Sequence, residues 1–311
     1  MGRYVILAAF IFSAVSIRAQ NAPRQPNTSS AAQPQQASPV YQVTVVSRTT
    51  KAVNYGTRSE PTKIDFKGTV LMSDARGEAV VQSRQGVVQV RARFEHVAPP
   101  TRFGPSYLTY VLWAITPDGR AQNLGELVLD PSNKGKLDVS TNLQSFALLV
   151  TAEPYFAVTR PSDAVVMENE VRPDTIGSVE QVDAKYELLP RQPFVYDIHP
   201  ANGVPEGQKV SKDDYDATLA IYEAQNAIQL AKAAGAEQYA PDVFQKAGEF
   251  YQQALDAKAR KAGVKAVVTP AREAAQRAAD ARTVSLCKQK AESGGDHSSA
   301  EQKPASNGSL Q

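Results

Sequence analysis

In the stretch "VVQVRARFEH", residues 87 to 96, Val88, Val90, Ala92 and Phe94 alternate with Gln89, Arg91, Arg93 and Glu95. A period of two puts the apolar set on one face and the polar set on the other, which predicts a half-buried antiparallel strand. The preceding "SRQG" is a turn signal. Further strands are expected at 41–49, 63–73, 78–83, 121–129, 135–140, 145–152 and 164–168. Short strands separated by Gly and Pro turns predict a sandwich or barrel.

The run "SYLTYVLWAITPDGRAQNLGEL", residues 106 to 127, departs from that alternation. From Leu108 to Ile115 both faces are mostly apolar, and the stretch holds the chain's one tryptophan, Trp113. A strand of this kind sits centrally with both faces covered. Trp113 therefore reads as core before it reads as an exposed ligand platform. "TPDG" supplies Pro117 at the second and Gly119 at the fourth turn position, which suits a hairpin.

Beyond residue 212 the apolar period changes to that of a helix. Ala217, Ala220, Ile221, Ala224, Ala227, Ile228 and Ala231 form one stripe, and the helix is expected to stop near Gly235. A second helix starts at Pro241 and ends before Gly263, with Phe244, Ala247, Tyr251 and Ala254 along one side. A third carries Ala271, Ala274, Ala278 and Ala281. Thr269 and Pro270 make a good helix start, so a helical turn over 264–268 is expected to be separate or kinked. The fold class is thus a multidomain β + α chain: an N-terminal antiparallel β-sandwich followed by an antiparallel, alanine-rich three-helix bundle.

Composition sets the boundaries. Residues 1–19 fit a Sec-type signal peptide, with Arg3 before an apolar run from Val5 to Ile17 and small Ala19 at the cleavage point. That run is shorter than the roughly 20 residues a spanning helix needs, so cleavage leaves no membrane span. Residues 20–39, rich in Gln, Pro and Ser, read as a disordered leader, and 292–311 as a disordered tail. The β-domain takes 40–170 and the helices 212–291. Residues 171–211 form a Pro-rich connector in which "GSVEQVDAKYELL" has the pattern for one more strand.

Charge and cysteine count narrow the partners. With 34 Lys and Arg against 32 Asp and Glu, the net charge of +2 gives no reason to expect nucleic acid. Cys287 is the single cysteine and lies far from the signal. Lipid anchoring, a disulfide framework and a multi-cysteine zinc site are therefore not expected. The mature chain is expected in the periplasm or outside the cell.

The segment "AQNAIQLAKAAGAEQYAPDVFQKAGEFYQQAL" and the Ala-rich helix after it resemble domain of unknown function 4398, a bacterial helical module. The resemblance covers roughly residues 212 to 290 and rests on Ala-Gly-Ala, then Tyr239-Ala240-Pro241, then Ala247 and Ala254. It implies a cell-envelope setting, since that module often precedes an OmpA-like peptidoglycan-binding domain, and it carries no assigned activity. Here the residues after the helices are expected to be a polar tail. More weakly, "YVLWAITPDGRAQNLGEL" resembles the sandwich domain that ends some anti-sigma factors.

Catalytic patterns do not emerge. His96, His199 and His297 lack metal-ligand spacing, and neither a Gly-x-Ser-x-Gly elbow nor a phosphate loop occurs. The acidic "KDDYD" (Asp213, Asp214, Asp216) sits where carboxylates favour a helix start. No cofactor or metal is expected. Arg91 and Arg93, with Arg84 and Arg102 near in sequence, are candidates for an anionic polymer, against a plain solvated strand face. Tyr222, Tyr239 and Tyr251 are candidates for a protein partner or, equally, caps of the bundle core. These patterns point to a non-enzymatic exported envelope protein that acts as an interaction or scaffold module, with an envelope protein or a second copy as partner. The alternative is peptidoglycan or polysaccharide binding by the β-domain.

Overall fold

The computed structural model describes residues 46–56, 60–172, 182–188 and 211–299. The proposed signal peptide, leader, most of the connector and the end of the tail lie outside them. Among the described residues ten strands come first: β1 (Val46–Asn54), β2 (Thr62–Gly68), β3 (Arg76–Arg84), β4 (Val87–Glu95), β5 (Thr109–Ile115), β6 (Ala121–Leu127), β7 (Gly135–Thr141), β8 (Ser145–Glu153), β9 (Val165–Glu170) and β10 (Val182–Leu188). Four α-helices among the described residues come after them: α1 (Lys212–Ala233), the single turn α2 (Ala236–Tyr239), α3 (Pro241–Ala259) and α4 (Val264–Ser299). The expected β + α layout is the observed one, and the connector does supply an additional strand, β10.

All strand pairs are antiparallel. The order β6-β5-β8-β9-β2-β3-β4-β7 curls so far that β7 returns alongside β6, giving a nearly barrel-shaped sheet. The last gap is spanned by side chains: the Thr141 hydroxyl donates to Gln122 Oε1 at 3.0 Å. At Gly125, a Cβ would lie 3.3 Å from Val139 Cγ1, and φ of +152° favours glycine as well. β1 pairs with β10 along Val46–Ala52, then with the start of β8 through Val53 and Asn54.

Alternation sorts the side chains into two cores. Inside the curl, Ile64, Phe66, Val90, Phe94, Tyr110, Leu112, Phe146 and Leu148 are fully buried, and Phe66 meets Phe94 edge-on at 4.9 Å. In β4 the inward set is Val88, Val90, Ala92 and Phe94, as the period of two predicts. The second core lies on the outer face of β5 and β8, where Val111, Trp113, Ile115, Ala147 and Leu149 meet the alanine stripes of α1 and α4. Each face of β5 and β8 thus has its own apolar layer, which is why these strands carry no alternation.

The helices begin and end by local chemistry. Ser211 caps α1, its Oγ accepting from the Asp214 amide at 3.1 Å while donating to the Asp214 carboxylate at 2.7 Å. Gly235, with φ +74°, ends the helix run after α1. Alanine then sets the helix spacing: Ala224, Ala227, Ala231, Ala271, Ala274, Ala278 and Ala281 are all fully buried, with α4 packed against both α1 and α3. Leucine at 278 would push into this contact. Ala278→Leu is expected to lower stability by about 1–3 kcal/mol in urea unfolding; an unchanged midpoint would show that the helices sit further apart than the structure has them.

Two expectations need correction. The stretch 264–268 is not separate from the residues after it: α4 is one helix with Pro270 inside it. Proline removes one amide donor from the ladder, and the buried Val267 helps hold the preceding turn in place. The helix also runs to Ser299, past the expected tail boundary at Glu292, where the Tyr239 hydroxyl donates to the Glu292 carboxylate at 2.8 Å.

Candidate functional site

Polar groups collect where the outer face of the sheet meets α1 and α4. Continuing the outward positions of β8 past Leu149 gives Thr151 and Glu153, both buried. Trp113 Nε1 donates to Thr151 Oγ1 at 2.7 Å, and that hydroxyl donates on to Glu153 Oε1 at 2.5 Å. The Ser162 amide donates to the same oxygen at 2.8 Å. Burial raises the Glu153 carboxyl to about 8, against the opposing pull of these hydrogen bonds and of Arg282.

A second acid group lies on β6 and α1. Glu126 accepts from the Thr109 hydroxyl at 2.8 Å and from Arg272 Nη1 at 2.6 Å. Glu223 of α1 faces it and is 1% exposed, with Oε1 lacking a partner among the described residues. Burial first, and the neighbouring Glu126 charge second, push the Glu223 carboxyl well above the usual range. Both causes favour the protonated form of Glu223, since two charged carboxylates here would leave one without compensation. Beside the pair, Asn226 donates to the Ser106 and Pro154 carbonyls at 3.2 and 3.0 Å and so pins α1 to the sheet.

Arg272 of α4 is held on two sides. Its guanidinium carbon sits 3.7 Å from the centroid of the Phe156 ring, while Nη1 bonds Glu126. Stacking and a charged hydrogen bond together fix the planar group. It opens onto a cleft of about 460 Å³ lined on one side by residues 121–123 and 125–126 of β6, and on the others by the loop 156–159 and by α4 at Arg272 and Gln276. The Asn123 amide donates to the Phe156 and Val158 carbonyls at 2.8 and 2.9 Å, which holds the loop against β6.

The residues singled out in the sequence lie elsewhere. Arg91 and Arg93 project outward and exposed from β4, as the alternation requires. Their cross-strand neighbours are Val80 and Asp138 for Arg91, and Glu78 and Lys136 for Arg93, so this face mixes both signs of charge. Tyr222 and Tyr251 come together between α1 and α3, half-buried; burial and the adjacent Tyr222 raise the Tyr251 hydroxyl. Tyr239 belongs to α2 and turns to α4, where its backbone carbonyl also accepts from Lys288 Nζ at 2.6 Å. Trp113 is fully buried. Cys287 is exposed on α4.

The polar group at the sheet–helix junction was not among the sequence candidates, although the signal existed. Glu223 stands three residues after Ala220 and four before Ala227, squarely on the apolar stripe of α1. Glu153 continues the outward register of an otherwise apolar strand. Charged residues at such positions are buried ones, and buried charge demands a partner. Comparison with protein-family models, with curated proteins and with solved structures returns no match to this chain.

Proposed function

We propose that this chain is an exported, non-enzymatic envelope protein whose helical layer docks a protein partner or a second copy. The observation that carries this reading is the side-by-side, half-buried pair Tyr222 and Tyr251 on α1 and α3, with Phe244, Phe250 and Leu255 of α3 also only partly covered. Alanines saturate the inner helix contacts, so these larger side chains flank the core and offer apolar area with polar tips. The resemblance of residues 212–290 to the envelope module, and the apolar run Val5–Ile17 behind Arg3, support the export setting.

In vivo cross-linking with mass spectrometry tests it. Deleting the helices would strip the cover from Trp113 and its neighbours on β5 and β8, so point variants are the informative comparison. Tyr222→Ala with Tyr251→Ala is expected to lose the captured envelope partners while the purified variant keeps a cooperative unfolding transition. A double variant that captures the same partners as the parent, or a parent that captures none, would overturn the reading.

A further inference from the structure

The cleft beside Arg272 is lined by neither Tyr222 nor Tyr251, the residues of the proposed docking surface. Arg272 is the one cation at its wall among the described residues, and it is built as a receptor is built. Phe156 lies under its face, Glu126 holds Nη1, and 41% of its side chain stays open. Among the described residues that single bond to Glu126 is the only hydrogen bond the guanidinium makes. Nε and Nη2, the pair of parallel donors on the adjacent edge, are left over. A guanidinium in this state matches the two oxygens of a carboxylate with little ordering cost on binding, because stacking and the Glu126 bond have already fixed it.

The surrounding groups complete the site. Gln276 uses Nε2 on Asp280 at 3.1 Å, which leaves its Oε1 as an acceptor. Asn123 spends its amide nitrogen on the loop carbonyls and retains Oδ1, and the exposed Thr159 adds a hydroxyl. The cleft thus offers a charged two-donor fork beside several acceptors suited to peptide N–H groups, in a volume that accommodates two residues. We propose that it binds the carboxylate end of a short peptide, with the Nε–Nη2 edge of Arg272 taking the carboxylate and the acceptors of Asn123 and Gln276 taking the peptide amides. Glu126 does not compete for that edge, since it occupies Nη1.

The test pairs two probes that differ only in the group at issue. The ¹⁵N-labelled protein is titrated with N-acetyl-alanyl-alanine and, separately, with its C-terminal amide, following the Arg272 Nε–H resonance and the Gln276 side-chain amide. The expected result is a saturable shift with the acid at low-millimolar concentration and none with the amide. Arg272→Lys keeps the charge and loses the fork, so its affinity for the acid is expected to fall about tenfold or more, with its backbone spectrum otherwise matching the parent. The assignment is overturned if acid and amide shift Arg272 alike, if about 20 mM acid produces no saturable shift, or if the lysine variant binds the acid as tightly as the parent.

Discussion

Glu153→Gln is expected to flatten the dependence of stability on pH. In the folded chain this carboxyl is raised to about 8 by burial, whereas in the unfolded chain it returns to the ordinary carboxylate range. The folded state therefore holds its proton more tightly, and the stability that this contributes is fully present at acid pH and lost as pH rises towards and through the folded value. At about 1.4 kcal/mol per unit of pKa shift, the ceiling on the loss is roughly 5 kcal/mol, and relaxation around a buried group leaves a few kcal/mol of it. Glutamine keeps the acceptor for Thr151 and Ser162 but carries no proton to lose. Urea unfolding at a series of values from about pH 5 to about pH 9 should show the parent weakening steadily and the variant much less. Glu223, raised by the same cause, adds a residual slope of the same sign, which Glu223→Gln on top of Glu153→Gln removes. A parent whose stability is level across that range would show that Glu153 reaches water in solution.

Trp113→Ala is expected to cost about 3–5 kcal/mol, the range for emptying a fully buried large aromatic site. The indole is fully buried beneath α1 and α4, and its Nε1 supplies the donor that Thr151 accepts. The loss should be unevenly distributed. The inner core around Phe66 and Phe94 does not include Trp113, so hydrogen exchange should accelerate in α1 and α4 well before β2, β3 and β4. A loss under about 1 kcal/mol, or equal acceleration throughout, would place the indole outside the contact between sheet and helices.

Much of the architecture was readable because it depends on local periodicity. The alternation in β4 and the turn "TPDG" lead to elements found where the pattern put them, with Gly119 donating to the Thr116 carbonyl at 2.8 Å in that turn. The alanine stripes of α1 and α4 are likewise buried as spaced. The pattern left a separate turn before Pro270 open because it weighed the missing amide donor without the burial of Val267, and the turn is continuous with α4.

What the sequence could not show is which separate segments meet. The lack of alternation in β5 said that both faces are covered, but the cover on the outer face comes from helices that begin only at Lys212. For the same reason Arg272 is met with Phe156 and Glu126 only in the folded molecule, 116 and 146 residues away in sequence. Sequence alone determined the class of most elements and the buried faces of β4, α1 and α4, since hydrophobic spacing acts over a few residues. Tertiary structure decided that sheet and helices share one core and that three glutamates and two arginines assemble at their boundary. Placing charge there is tolerable only when partners from distant segments arrive together, and no local pattern records that meeting.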